Sequence, residues 1–194
     1  MKFFCFVFCL MLILPQSLSA QRVGEAIMGF KAGANITDYK GDSEELATQG
    51  AYHAGFYLSI RFGKRFGFQP EILYSQQKAS EILAPGSRAT YGYFILPLTA
   101  KIFITNHFNV QIIPQVGQLM NATIRVPGIP SFNAKSLLKT TDFSLGGGLG
   151  IESPIGLNAS VRYFYGFTDT FRPVVNYNES PKNTLQISIG YTFL

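Results

Sequence analysis

Residues 185–194, Leu-Gln-Ile-Ser-Ile-Gly-Tyr-Thr-Phe-Leu, alternate large apolar and small or polar side chains up to the chain terminus. In a strand, successive side chains point to opposite faces, so Leu185, Ile187, Ile189, Tyr191 and Phe193 form one wholly apolar face. Gln186, Ser188, Gly190 and Thr192 form the other. A long two-faced strand ending on an aromatic residue fits the closing strand of a transmembrane barrel, apolar towards lipid and polar towards the lumen.

The same two-residue period predicts seven more strands. They lie at about 27–36, 51–62, 66–77, 91–104, 108–120, 141–152 and 157–169. Most reach the ~9–11 residues that a tilted membrane strand requires. The expected fold is therefore all-β, an eight-stranded antiparallel up-and-down transmembrane β-barrel. Connections alternate in length. Residues 63–65, 105–107 and 153–156 read as tight turns, while 37–50, 78–90, 121–140 and 170–182 read as long loops. Short turns on one rim and long loops on the other match outer-membrane barrels, with the loops extracellular and both termini periplasmic. Pro70, Pro97 and Pro114 fall inside these strands, where each removes a ladder hydrogen bond; they count against the reading, although bulges could absorb them.

Lys2 followed by the apolar run Phe3–Leu14, the break at Pro15 and the small residues before Gln21 read as a secretory signal peptide over 1–20. The run is too short to span a bilayer. Residues 21–194 are then one barrel domain. Cys5 and Cys9 both lie in the leader, so the mature chain carries no disulfide, thiol nucleophile or thiolate metal site. Loss of Lys2 takes the formal charge from +5 to +4, spread without a basic run, which gives no support to nucleic-acid binding.

A soluble carrier with an apolar interior would show the same alternation, so the polar face decides between the two. That face combines many glycines with Lys31, Arg61, Glu71, Lys101, Glu152 and Arg162, and Asp142 adds a third acid. An eight-stranded barrel has room inside for side chains and little else. Charges there are tolerable only when paired, so the seven residues are expected to form a lumenal charge network. The aromatics Phe62, Phe66, Phe68, Phe103, Phe108, Tyr191 and Phe193 cluster towards the tight-turn rim. Tyr52, Tyr74, Tyr91 and Phe167 lie towards the loop rim, giving two interfacial belts.

Catalytic chemistry is limited by histidine, of which there are two. His53 belongs in the lumen and His107 at a tight turn. Ser59 shares a strand face with His53 but lies six residues away, about 20 Å at ~3.3 Å per residue, too far for a nucleophile–base bond. No nucleophile–base–orienter set emerges from the sequence, and a non-enzymatic protein is expected. Two separated histidines offer no metal site, and Asp38, Asp42, Glu44 and Glu45 match no calcium-loop spacing. Gly146–Gly150 is followed by no helix start and reads as barrel wall, not a phosphate cradle. No cofactor is expected. The remaining classes are a structural or interaction protein and a narrow solute channel, with a lipid-modifying enzyme third.

Gly29-Phe30-Lys31-Ala32-Gly33-Ala34-Asn35-Ile36 and Phe68-Gln69-Pro70-Glu71-Ile72-Leu73-Tyr74-Ser75-Gln76 resemble the opening strands of the PorT-like outer-membrane β-barrel proteins of Bacteroidetes. Leu96-Pro97-Leu98-Thr99-Ala100-Lys101 and Pro114-Gln115 are similar to its middle strands. Thr141-Asp142-Phe143, Gly146–Gly150, Arg162-Tyr163 and Gly190-Tyr191-Thr192-Phe193 resemble its closing half. The resemblance implies an eight-stranded barrel in the outer membrane and no single activity; a monomeric barrel is expected. Its founding type is similar to components needed for export of secreted proteins. The partners it implies are outer-membrane lipid and envelope or secretion-system proteins. It brings no catalytic residues.

Overall fold

The computed structural model describes residues 26–39, 51–80, 86–135, 139–168 and 182–193. The signal-peptide region and the acidic residues 42–45 lie outside the described residues. Among the described residues nine strands run in chain order: β1 (Ala26–Tyr39), β2 (Ala51–Phe62), β3 (Phe66–Ser80), β4 (Arg88–Phe103) and β5 (Phe108–Val126), followed by β6 (Ile129–Asn133), β7 (Thr141–Glu152), β8 (Leu157–Gly166) and β9 (Lys182–Phe193). Each pairs antiparallel with its neighbours, and β1 pairs with β9 through Met28↔Phe193 to Tyr39↔Lys182. The β1–β9 seam closes β1–β5 and β7–β9 into an eight-stranded barrel, as the alternation predicts.

The ninth strand is a departure from the sequence reading. β5 runs past residue 120 to Val126, turns at Gly128 (φ 82°), and returns as β6 along its own outer end. This segment was expected to be loop. Ile124 and Val126 still alternate with polar residues and the segment stays paired with β4 up to Arg88↔Arg125, so β5 extends the barrel wall past the expected end of the strand. At the other rim, Gly63 and Gly156 take the positive φ that the tight turns after β2 and β7 demand.

The prolines are accommodated without bulges. Pairs persist on one side at Pro70↔Leu98, Pro97↔Gln115 and Pro114↔Leu145. On the other side rungs are missing, between Tyr57↔Glu71 and Ile60↔Phe68 for example, yet the register resumes unchanged. A missing N–H costs a rung, not a residue. The register shift between β4 and β5 falls instead at Gly92/Tyr93.

Side-chain parity sorts the wall into two faces. Phe56 (59% exposed), Leu98 (41%) and Ile187 (46%) point outward, whereas Lys31 and Arg162 are 1% exposed. A carrier with an apolar interior is excluded by that inversion. The outer surface carries aromatic contacts near both rims: Tyr52–Tyr74 and Tyr74–Phe94 at the loop end, Tyr191–Phe193 at the turn end. Two belt assignments are corrected. Phe103 and Tyr91 are buried inside, because they share the odd parity of Thr99 and Lys101 on β4. The lumen's loop-rim half is apolar on the β3–β5 side, where Leu73, Tyr91, Tyr93, Ile95, Leu119, Ala122 and Ile124 pack together.

Candidate functional site in the lumen

Glu71 is the centre of the site. Its side chain is fully buried, and its two carboxylate oxygens are the acceptors around which the lumen is organised. Arg162 reaches it from β8, which lies four strands from β3 in either direction around the barrel, so the two side chains together bridge opposite walls. Nη2 donates to Oε1 at 2.7 Å and Nη1 to Oε2 at 3.0 Å, the two-pronged geometry in which Arg binds carboxylate most strongly. Lys31 Nζ donates to Oε2 at 3.2 Å, and Gln69 Nε2 and Thr99 Oγ1 donate to Oε1 at 2.7 and 3.1 Å.

From Glu71 the bonds run in a closed ring. Arg162 Nε donates to Gln111 Oε1 (2.8 Å), Gln111 Nε2 to Asn109 Oδ1 (2.7 Å), and Asn109 Nδ2 to Glu152 Oε1 (3.5 Å). Lys101 Nζ donates to Glu152 Oε1 (2.6 Å) and to Gln69 Oε1, and Gln69 closes the circuit to Glu71. With Lys31 on β1, six of the eight barrel strands contribute: β1, β3, β4, β5, β7 and β8. Glycine makes the room. A Cβ on Gly148 would sit 2.8 Å from Arg162 Cγ, so the long side chain lies over a bare stretch of β7.

Five of the seven lumenal residues read from sequence are thus brought together: Lys31, Glu71, Lys101, Glu152 and Arg162. Arg61 and Asp142 are not. Arg61 lies at the turn rim, donating to the carbonyls of Asn106 and Lys64 with its guanidinium carbon 3.8 Å from the centre of the Phe103 ring. Asp142 sits in register with Gly117 towards the loop rim. Strand parity placed both on the inner face, but parity carries no height along the barrel axis. The amides Gln69, Asn109 and Gln111, which complete the ring, were legible as inward polar positions but carried no charge to single them out.

A second buried layer lies closer to the loop rim. His53 reaches over Gly33, where a Cβ would meet its ring at 2.7 Å, to Ser188 on β9. Asn35 Nδ2 donates to Ser75 Oγ at 2.9 Å, leaving Oδ1 to accept from His53 Nδ1 at 2.7 Å. Nε2 shares a hydrogen bond with Ser188 Oγ at 2.8 Å. This is the order nucleophile, base, orienter that the sequence did not reveal, because the three residues come from β9, β2 and β1 and meet only through cross-barrel register. All three side chains are enclosed, with Ser188 2% exposed. A third layer joins Tyr57 to Thr192 (2.8 Å) and Asn158 (2.7 Å) at the turn end. Among the described residues no group of three His, Cys, Asp or Glu side chains is arranged to hold a metal.

The family model described as outer membrane protein beta-barrel domain matches residues 6–193, almost the entire chain. The chain belongs to that outer-membrane β-barrel family. Solved structures agree on the fold. Ail, the attachment invasion locus protein of Yersinia pestis, superimposes with a TM-score of 0.54 at 12% identity, covering 88% of this chain and 99% of Ail. Neisserial surface protein A gives a TM-score of 0.54 at 10% identity, covering 87% of this chain and 97% of that one. Among curated proteins none matches. The protein is an outer-membrane β-barrel whose interior is bridged by charge.

Proposed function

We propose that this barrel is a non-conducting, monomeric anchor that acts by binding other envelope or secretion-system proteins through its long loops or its turn rim. Catalysis and solute transport are not its role in this reading. The observation that carries it is the Arg162–Glu71 bridge across the full lumen diameter, ringed by bonds from Lys31, Gln69, Lys101 and Gln111. A solute would have to break this ring to pass. The apolar packing of Tyr91, Tyr93, Ile95 and Leu119 fills the loop-rim half above it. The enclosed Ser188–His53–Asn35 set leaves a carbonyl substrate no approach to the serine hydroxyl, and we read it as a structural layer.

The wording of β1, β3 and β4 supports membership in the PorT-like group, and through it a role alongside proteins of a secretion pathway. In this orientation the tight turns after β2, β4 and β7 face the periplasm and the longer connections face outside. Purified protein in planar bilayers is expected to give no steady conductance. Reproducible, salt-dependent current steps would overturn the reading and establish a narrow channel instead.

A further inference from the structure

The buried ring is unbalanced in charge and in donors. Lys31, Lys101 and Arg162 bring three positive charges, while Glu71 and Glu152 bring two negative ones. The other charged groups of the inner face do not correct this. Arg61 adds a further cation at the turn rim with carbonyl partners, and Asp142 stands towards the opposite rim. His53 is bonded to Asn35 and Ser188 in a separate layer and touches no member of the ring. A surplus charge among side chains as buried as Lys31 and Arg162 is costly unless something answers it.

Most acceptors of the ring are already taken; Glu152, the most exposed member, is engaged through Oε1. Both Glu71 oxygens are engaged, and Gln69 Oε1, Gln111 Oε1 and Asn109 Oδ1 each accept a bond. Donors remain. An ammonium carries three N–H groups and a guanidinium five. Lys101 spends two of its three on Gln69 and Glu152, and Arg162 spends three of its five on Gln111 and Glu71. Lys31 directs its bonds to Glu71 alone. These three cations line one cavity of about 10 Å³ together with Gln111, Asn158 and Ser160. Of the buried side-chain oxygens that lack a partner among the described residues, none belongs to its lining.

We propose that this cavity is a binding site for a single small monovalent anion of chloride size, held by Lys31, Lys101 and Arg162. The space is that of about one small particle, which suits a monatomic anion. Glu152 also lines it, and its charge is answered by Lys101 through Oε1. The anion brings the ring to neutrality and uses the donors the carboxylates leave over.

Two measurements on the full barrel test this. Crystals of the wild-type protein grown in bromide should show an anomalous peak in the cavity among the three cations. In solution, the urea midpoint should rise as chloride or bromide replaces isethionate at constant ionic strength, because a ligand that binds only the folded state stabilises it. That halide dependence should vanish in Lys31→Met. Absence of bromide from the cavity overturns the proposal, as does a halide effect of equal size in Lys31→Met. If Lys31→Met does not fold, the wild-type bromide crystals decide alone.

Discussion

Replacing Glu71 with alanine is expected to destabilise the barrel by about 3–5 kcal/mol, the cost of breaking a buried ion pair by removing one partner. The loss has two parts. Arg162 and Lys31 are left as buried cations with no carboxylate between them, and six hydrogen bonds from Arg162, Lys31, Gln69 and Thr99 lose their acceptor. Urea titration in lipid vesicles, read by the electrophoretic difference between folded and unfolded barrel, measures the shift. The double variant Glu71→Ala/Arg162→Met should recover part of the loss, because it removes one of the stranded charges along with the carboxylate. Equal stability of wild type and Glu71→Ala would mean that the lumen is wet enough to solvate both cations.

Deleting residues 191–194 is expected to abolish insertion altogether. Tyr191, Thr192 and Phe193 pair with Phe30, Gly29 and Met28 across the closing seam, and Tyr191 also pairs with Leu157 on β8. Without them the seam opens at the turn rim, and each backbone group left unpaired in hydrocarbon costs several kcal/mol. The deletion also removes the Tyr191–Phe193 ring pair at the interface and the Thr192 hydroxyl that Tyr57 bonds across β1. The truncated chain should stay in the unfolded electrophoretic form on mixing with vesicles. Folding at the wild-type yield would show that closure does not depend on this end of β9.

Strand number, closure and facing were legible because the side-chain period of a strand is two, and a continuous apolar face fixes which side meets lipid. Lys31, Glu71, Lys101 and Arg162 could be placed inside from parity alone. Partners could not be read the same way. Arg162 meets Glu71 because β8 and β3 are opposite each other, and Ser188 meets His53 because Gly33 on the strand between them lacks a side chain. Both contacts depend on strand order and stagger around a closed barrel, which no local pattern encodes. Arg61 and Asp142 lie outside the ring for the same reason, since height along the axis follows from register. β6 was not expected because the stretch after residue 120 reads as long and polar, although alternation continues to Val126.

The central claim, a membrane barrel with its apolar face outward and a filled polar lumen, is tested most directly by neighbouring residues at one depth. Phe56 is 59% exposed and Tyr57 4%, and they are adjacent on β2. The chain contains no tryptophan, so Phe56→Trp and Tyr57→Trp each place a single fluorophore in the wall. In vesicles of lipids brominated on the acyl chains, Phe56→Trp should be strongly quenched and Tyr57→Trp little affected. Strong quenching of Tyr57→Trp with Phe56→Trp left bright would contradict the account and turn the barrel inside out.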